Sequence, residues 1–181
     1  MGAMALFSGG GMRGEWRVAH ITPIAGATLA PAAFLAIDPP QRDVSAAWEL
    51  RGVTSNSRYT TKPERDALYA IQAGLGRPEA THAALIPIRK SAAWWALAQD
   101  ERRAIFEERS HHIADTMRFL PAIARRLHHS RDLGEPFDFL TWFEFAPQHV
   151  RDFDELVLLL RATEEWKWVE REVDIRLVRP E

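Results

Sequence analysis

Histidines are the residues of this chain best able to bind a metal, and four of them occur as adjacent pairs. These pairs are His111-His112 and His128-His129. Neighbouring side chains on a helix point about 100° apart, so neither pair could readily hold one ion. The sequence has no His-x-x-x-His spacing and no cysteine, which leaves zinc and iron–sulfur sites poorly supported. Any metal must therefore rest on histidine, carboxylate, tyrosine or methionine.

His112 and Arg125 make a more informative pair, because Pro121 lies between them. On an unbroken helix their separation would span about 20 Å, too far for both to contact one small substrate. The residue before a proline is biased away from helical geometry, so we expect a break at Leu120. Across that break the two side chains could face opposite sides of a flat cofactor. A haem needs this arrangement, with an imidazole on one side of its iron and a polar pocket on the other.

The composition sets the limits within which these residues act. The chain has 181 residues, 46% of them hydrophobic and 27% charged, as in water-soluble globular proteins. Its formal net charge of -2 gives no reason to expect nucleic acid or an anionic membrane as a partner. The seven tryptophans indicate either a thick core and interface or walls for a flat aromatic ligand.

Targeting signals are also missing from the sequence. No apolar run approaches the ~20 residues that span a bilayer, and the start lacks the basic and apolar regions of a signal peptide. We therefore expect a cytoplasmic protein, with the periplasm left open if a leader has been removed.

The elements that must position these residues follow from hydrophobic patterning. In the first half, residues 1–4 and the glycines at 9–11 are expected to lie outside the fold, and residues 27–37 are ambiguous between helix and strand. Gly52 is a possible bulge within its strand. Thr61 and Glu64 have capping-box spacing and should start a helix that runs to about Leu75. The strands predicted here are 16–24, 48–59 and 83–88.

The second half has a clearer pattern. We predict a helix from residue 100 through 113, a second helical piece over 122–130, and a final strand–helix–strand unit. The parts of that unit are residues 137–145, 150–163 and 170–178. Two similar α+β halves joined by a helical segment suggest ferredoxin-like repeats, which we divide into residues 1–98 and 99–181.

Several strings of this sequence closely resemble the short members of the chlorite dismutase family. The resemblance covers roughly residues 48–179 and implies an α+β fold in which two ferredoxin-like repeats form a dimeric α+β barrel. It further implies a shortened first half, haem b in the C-terminal half, and a homodimer. The matching strings are residues 52–56, 85–95, 110–113, 119–127, 131–144 and 161–166.

The resemblance places the iron ligand on His112 and not on His111. It places on Glu165 the carboxylate that accepts the other ring N–H of that histidine. Such a carboxylate fixes the tautomer of the imidazole and increases its electron donation to iron.

The other implied contacts surround the haem. Arg125 falls on the mobile distal arginine of the family, and Gln72 on a glutamine beside it. Asn56 and Lys90 would meet the haem propionates, and Trp95 would pack against the porphyrin.

The implied reaction is the conversion of chlorite to chloride and dioxygen through a ferryl intermediate with transient hypochlorite. The guanidinium of Arg125 would hold the chlorine-bearing anion by a forked hydrogen bond. A related branch of the family that acts in haem synthesis typically has glutamine at this position. Two other functions stay open at this point: a haem peroxidase with a different substrate, and a cofactor-free dimeric α+β barrel that binds a small ligand.

Overall fold

Antiparallel strands form a closed barrel in the computed structural model, which describes residues 3–39, 45–54 and 59–180. The strands are β1 (Met4–Gly10), β2 (Trp16–Ala25), β3 (Phe34–Ile37), β4 (Trp48–Thr54), β5 (His82–Lys90), β6 (Ala124–His129), β7 (Phe139–Phe145) and β8 (Val169–Val178). They close into a barrel in the order β1-β3-β2-β8-β5-β7-β6-β4. The helices are α1 (Lys62–Ile71), α2 (Ala92–Ala96), α3 (Gln99–Arg103), α4 (His112–Thr116) and α5 (Val150–Arg161). None of the helices in these ranges has the length and apolarity to cross a bilayer.

The barrel consists of two sets of four strands with the same internal order. In the first set (β1–β4) and in the second set (β5–β8), the fourth strand lies next to the first, then the third, then the second. This repetition confirms the predicted ferredoxin-like repeats. The first set is shortened, since only residues 11–15 connect β1 to β2. By strand order β5 belongs to the second set, although it precedes residue 98, where the two halves were predicted to divide. That division stays a prediction.

Strand β5 shows how the two faces of the barrel wall are used. Ala83 and Leu85 point into the barrel, whereas Ala84, Ile86 and Ile88 belong to the apolar layer outside it. Side chains alternate between the two faces of a strand, so a strand covered on both faces is apolar throughout. The buried residues of α5 cover the outer face of the second set; they are Phe153, Leu156, Val157 and Leu160.

Helices α1 and α5 were both predicted from the sequence, but α1 ends earlier than expected. The spacing of the buried residues in α5 follows one helical face, as predicted. At the start of α1 the Glu64 carboxylate accepts a hydrogen bond of 2.7 Å from the backbone N–H of Thr61, which confirms the expected capping contact. The helix ends at Ile71 and not near Leu75, because Gln72 takes an extended conformation.

Residues 124–129 form a strand, so the predicted helix over 122–130 was wrong. Strand β6 pairs with β7 along its whole length, from Ala124 opposite Glu144 to His129 opposite Phe139. These backbone bonds outweigh the helical preference of alanine, arginine and leucine, which is a weak influence. The alternation of the strand puts Arg125 on the outer face of the barrel, against a cavity.

Glycines near the start of the chain were also misjudged. Gly9 and Gly10 lie within β1, which begins at Met4. A Cβ on Gly9 would come 2.2 Å from the Trp48 ring, so this glycine permits close packing inside the barrel. Gly52 pairs regularly with Ala5 and forms no bulge. Glycine is again required at this position by the close approach of another side chain, since a Cβ there would lie 2.7 Å from the Cβ of His128.

Two other strand predictions need adjustment. Of the ambiguous residues 27–37, only Phe34–Ile37 form a strand. Strand β4 is described from Trp48 to Thr54; residues 55–58 of the predicted strand lie outside the described residues, and Tyr59 is in a turn.

The long helix predicted over residues 100–113 is broken immediately before His112. Helix α3 continues into a π-helical turn over Ala104–Arg109, and His111 then takes a left-handed conformation with φ of 49°. Helix α4 begins at the next residue. A 3-10 turn then ends at Phe119, next to the break expected at Leu120. The chain thus turns twice where a single break was predicted.

Candidate active site

A cavity of about 330 Å³ lies on the outer face of the second set of strands. Strands β5, β6 and β7 form its floor, and helices α1, α4 and α5 contribute its walls. Most of the lining is apolar, which excludes water and suits a large flat ligand. The apolar lining includes Leu68, Ile86, Ile88, Leu120, Phe143, Leu156, Val157 and Leu160.

His112 is the first residue of α4 and lines this cavity. Its Nδ1 lies 2.7 Å from Oε2 of Glu165, so the carboxylate holds a proton on this nitrogen. The Phe106 ring stacks on the imidazole at a centroid distance of 4.3 Å, which restricts its rotation. No described residue makes a hydrogen bond to Nε2 of His112. This nitrogen is free to bind a metal.

Glu165 connects His112 to a buried lysine. The other oxygen of its carboxylate accepts a hydrogen bond of 2.8 Å from the Lys90 ammonium, and both side chains are less than a tenth exposed. Burial alone would raise the pKa of Glu165, but Lys90 and His112 outweigh it and lower the pKa to about 2. Glu165 is therefore an anion at any pH near neutrality, and it delivers a full negative charge to the imidazole.

Aromatic rings surround the Lys90 ammonium. Its Nζ lies 4.6 Å from the ring centroid of Trp94 and 5.4 Å from that of Trp166. These faces stabilise a cation removed from water. The buried ion pair of Lys90 and Glu165 is thus stabilised by the two tryptophan rings on the lysine and by the His112 imidazole on the carboxylate.

Arg125 lines the same cavity from β6. Burial lowers the pKa of its guanidinium, although an arginine remains a cation. No described side chain forms a hydrogen bond or ion pair with this guanidinium. A partly buried cation with no counter-ion among the described side chains has donors available for an anion.

The residues of the cavity fit a haem. A free imidazole nitrogen stands in an apolar cavity, and its second nitrogen is fixed by a carboxylate, as in protein ligands of iron.

The structure gathers five of the seven site residues named from the sequence around one cavity. These five are Gln72, Lys90, His112, Arg125 and Glu165. Asn56 lies outside the described residues, so its predicted contact with a propionate stays a prediction.

Two predicted contacts differ from what the structure places at the cavity. Trp94, and not Trp95, belongs to the lining. The Trp95 indole donates to Asp138 at 3.0 Å, and the Arg131 guanidinium lies 4.2 Å from its ring. The Lys90 ammonium, expected at a propionate, is bound to Glu165. Their predicted roles at the haem stay predictions.

Other residues of the site were not found from the sequence. The stacking of Phe106 on His112 and the hydrogen bond of 2.9 Å from the Glu165 N–H to Ser110 Oγ depend on the turn at His111. The high tryptophan count was the one available signal, since Trp94 and Trp166 both line the cavity.

A sequence model of one family covers nearly all of this chain. The family is described as chlorite dismutase, and the match extends over residues 12–179. The chain belongs to the chlorite dismutase family. This assignment agrees with the strings that resembled the family in the sequence, and it extends the similarity into the first half of the barrel.

Individual chlorite dismutases support the same assignment. The crystal structure of dimeric chlorite dismutases from Nitrobacter winogradskyi matches with 60% identity and a TM-score of 0.91, covering 97% of this chain and 99% of that one. The chlorite dismutase from Candidatus Nitrospira defluvii in complex with imidazole matches with 29% identity and a TM-score of 0.61, over 75% of this chain and 56% of that one.

A curated chlorite dismutase from Ideonella dechloratans is 31% identical over 126 residues. The match covers 66% of this chain and 40% of that protein. The chain therefore corresponds to less than half the length of this relative, but to nearly the whole of the Nitrobacter chain.

Proposed function

We propose that this protein binds haem b through His112 and converts chlorite to chloride and dioxygen. The observation that carries the proposal is that one apolar cavity is lined by both an imidazole nitrogen and a guanidinium to which no described side chain is bonded. The imidazole suits iron, and the guanidinium suits a small anion. Membership of the chlorite dismutase family supports the same substrate. Its conversion to chloride and dioxygen balances in atoms and charge without a second reactant.

His112 would hold the iron through Nε2. Glu165 keeps the proton of the imidazole on Nδ1 and directs the ring, while Lys90 keeps Glu165 ionised. An imidazole bonded to a carboxylate donates more electron density, which stabilises oxidised iron. The stacked ring of Phe106 limits rotation of the His112 imidazole about its bond to the Cβ.

Arg125 would bind the substrate anion. Haem supplies the redox-active iron at which the chlorine–oxygen bond is broken. The forked donors of Arg125 hold chlorite at the start and retain the chlorine-bearing anion until dioxygen has formed. The apolar lining limits the water that would otherwise compete for this anion.

Gln72 would keep the arginine in place through the backbone. Its side-chain amide donates a hydrogen bond of 2.8 Å to the carbonyl of Arg125. This contact fixes the strand and leaves the guanidinium free to move toward an anion.

We also propose that the protein is a homodimer and that it acts in the cytoplasm. The dimer is supported by the relative of 60% identity, whose crystal structure is described as dimeric. Light scattering coupled to size-exclusion chromatography tests it, and a mass near the 20.6 kDa of one chain would contradict it. Fractionation of the native host tests the compartment.

A spectrum and an oxygen electrode test the activity. The protein loaded with haem b should show a Soret band and release dioxygen rapidly from chlorite. A colourless protein after loading would favour a cofactor-free binding protein. A red protein that oxidises dyes with peroxide but releases no dioxygen from chlorite would favour a peroxidase. Either result would overturn the proposed reaction.

A further inference from the structure

A buried carboxylate lies against the backbone of the helix that carries His112. Glu107 is 9% exposed and belongs to the π-helical turn before α4. Its Oε2 accepts a hydrogen bond of 2.6 Å from the Ile113 N–H, and its Oε1 accepts one of 3.2 Å from the Ala114 N–H. The two oxygens thus bind the two residues that follow His112.

These contacts satisfy backbone groups that have no other partner within α4. The first N–H groups of any helix lack intrahelical acceptors, and a carboxylate at this end is also favoured by the helix dipole. His111 takes a left-handed conformation at the junction between the π-helical turn and α4, and Glu107 reaches the first turn of α4 from the other side of this junction.

The same short segment holds the imidazole and its carboxylate partner. Phe106, next to Glu107, stacks on the His112 ring, and Ser110 Oγ accepts the hydrogen bond from the Glu165 N–H. Single π-helical turns are frequent at functional sites. Such a turn changes the directions in which the neighbouring side chains project. Here the turn directs Phe106 at the ring and Glu107 at the backbone.

We propose that Glu107 is a positioning residue for His112, which sets the orientation of the imidazole through the backbone of α4. The inference rests on the proposed function, since it concerns His112 as iron ligand. Glu107 forms no bond to the His112 ring, so its effect passes through the residues that follow. We call the two hydrogen bonds from the Ile113 and Ala114 N–H groups to Glu107 the clamp. Loss of the clamp would let the start of α4 shift and disturb the 2.7 Å contact between Nδ1 of His112 and Glu165.

The test uses the haem-loaded protein and two variants of Glu107. Glu107→Ala removes both acceptors, whereas Glu107→Gln keeps one oxygen for one of the two N–H groups. The neighbouring Glu108 is exposed, so Glu108→Ala and Glu108→Gln make the same chemical changes away from the contact. Resonance Raman of the ferrous protein gives the iron–imidazole stretching band, and transfer of haem to apomyoglobin gives the rate of haem loss.

We expect the iron–imidazole band of Glu107→Ala to broaden and shift, and its haem loss to be faster by about tenfold, as for residues that orient metal ligands. Glu107→Gln should fall between Glu107→Ala and the parent, and both Glu108 variants should match the parent. A Glu107→Ala protein that is less stable but has the parental band and haem loss would overturn the inference. If this variant does not fold, a parental band in Glu107→Gln overturns it instead.

Failure of the proposed function gives a different result. A parent protein without an iron–imidazole band, or a His112→Ala variant that keeps it, refutes the iron ligand whatever the Glu107 variants do. A parent with the band and unaffected Glu107 variants refutes the clamp alone.

Discussion

The side chain of Gln72 is bonded to the backbone carbonyl of Arg125 and not to its guanidinium. Among the described residues, β6 pairs with β4 at His128 and His129, and Arg125 precedes this pairing by three positions. Gln72 supplies a further hydrogen bond to the strand at Arg125. The backbone of Arg125 is therefore fixed while its side chain stays available.

Replacement of Arg125 should release the substrate fragment without loss of haem. In Arg125→Ala we expect haem binding as in the parent, less dioxygen per haem before inactivation, and stronger protection by added methionine. Hydrogen bonds to a charged group contribute about 1.5–3 kcal/mol, or roughly a ten- to hundredfold change in retention. Arg125→Lys should fall between the two, because lysine lacks the planar fork.

Arg118 provides a matched control for this experiment, since it forms an ion pair with Glu155 on the surface. Arg118→Ala should behave as the parent. Equal oxygen yield and equal scavenger dependence in Arg125→Ala and the parent would remove Arg125 from its proposed role.

The two adjacent histidines should differ sharply. His112→Ala removes the free imidazole nitrogen of the cavity, so we expect it to lose most of its haem. His111→Asn should stay red and active, because asparagine tolerates the left-handed backbone at this position and His111 is outside the cavity lining. Haem content measured by the pyridine haemochrome assay separates the two variants, and the reverse order would contradict the ligand assignment.

Glu165→Gln should raise the reduction potential of the iron, because a neutral amide draws less on the Nδ1 proton and the imidazole donates less. Spectroelectrochemistry measures the midpoint. The variant also leaves the Lys90 ammonium buried without its anion, at a cost of about 3–5 kcal/mol in unfolding free energy. A midpoint equal to that of the parent would show that the carboxylate does not act on the ligand.

The low pKa of Glu165 makes a specific prediction for acid stability. Its pKa of about 2 in the folded protein is below that of the unfolded chain. The ionised carboxylate therefore stabilises the fold fully above the unfolded value, and this contribution is lost as pH falls toward 2.

Lys90→Met should shift the acid-unfolding midpoint to higher pH, because burial then raises the pKa of Glu165 with less opposition. Circular dichroism during acid titration measures this midpoint. Lys62→Met is the control, since Lys62 is an exposed lysine paired with Asp66. Equal midpoints for the Lys90 variant and the parent would contradict the proposed coupling.

Gly52→Ala should destabilise the barrel. The new Cβ would lie 2.7 Å from the Cβ of His128 and 2.9 Å from Ser130 Oγ, and such overpacking costs about 1–3 kcal/mol. Gly11→Ala is the control, because a Cβ there meets nothing within 4 Å. Urea denaturation measures both, and equal midpoints would show that β4 and β6 adjust without cost.

Elements with a strong pattern could be predicted from the sequence alone. Helix α5 has one apolar face, and β5 is apolar on both faces because it is covered on both. Strand β6 could not be predicted in this way, since its strand geometry comes from pairing with β7 and its own residues favour a helix. The resemblance to the family named Arg125 as a site residue, and the structure places it in the lining of the cavity, while its role there stays a prediction.

Within the site, contacts that depend on an unusual backbone conformation could not be predicted from the sequence. The clamp by Glu107 depends on the left-handed backbone conformation of His111. No local sequence pattern predicts that conformation for a histidine. Likewise, Trp94 and Trp95 are adjacent, and which of them faces the cavity depends on how α2 packs.

The pairing of β4 with β6 also bears on the order in which the protein folds. Val53 and Thr54 are the residues of β4 that meet β6, and they are far from it in the chain. Closing so long a loop costs conformational entropy before any bond is gained. We therefore expect β4 to join β6 after β6 has paired with β7, whose partner residues, such as His129 and Phe139, are much closer in the chain. In refolding followed by pulsed hydrogen exchange, the amide protons of the β6–β7 pairing should be protected before those of the β4–β6 pairing.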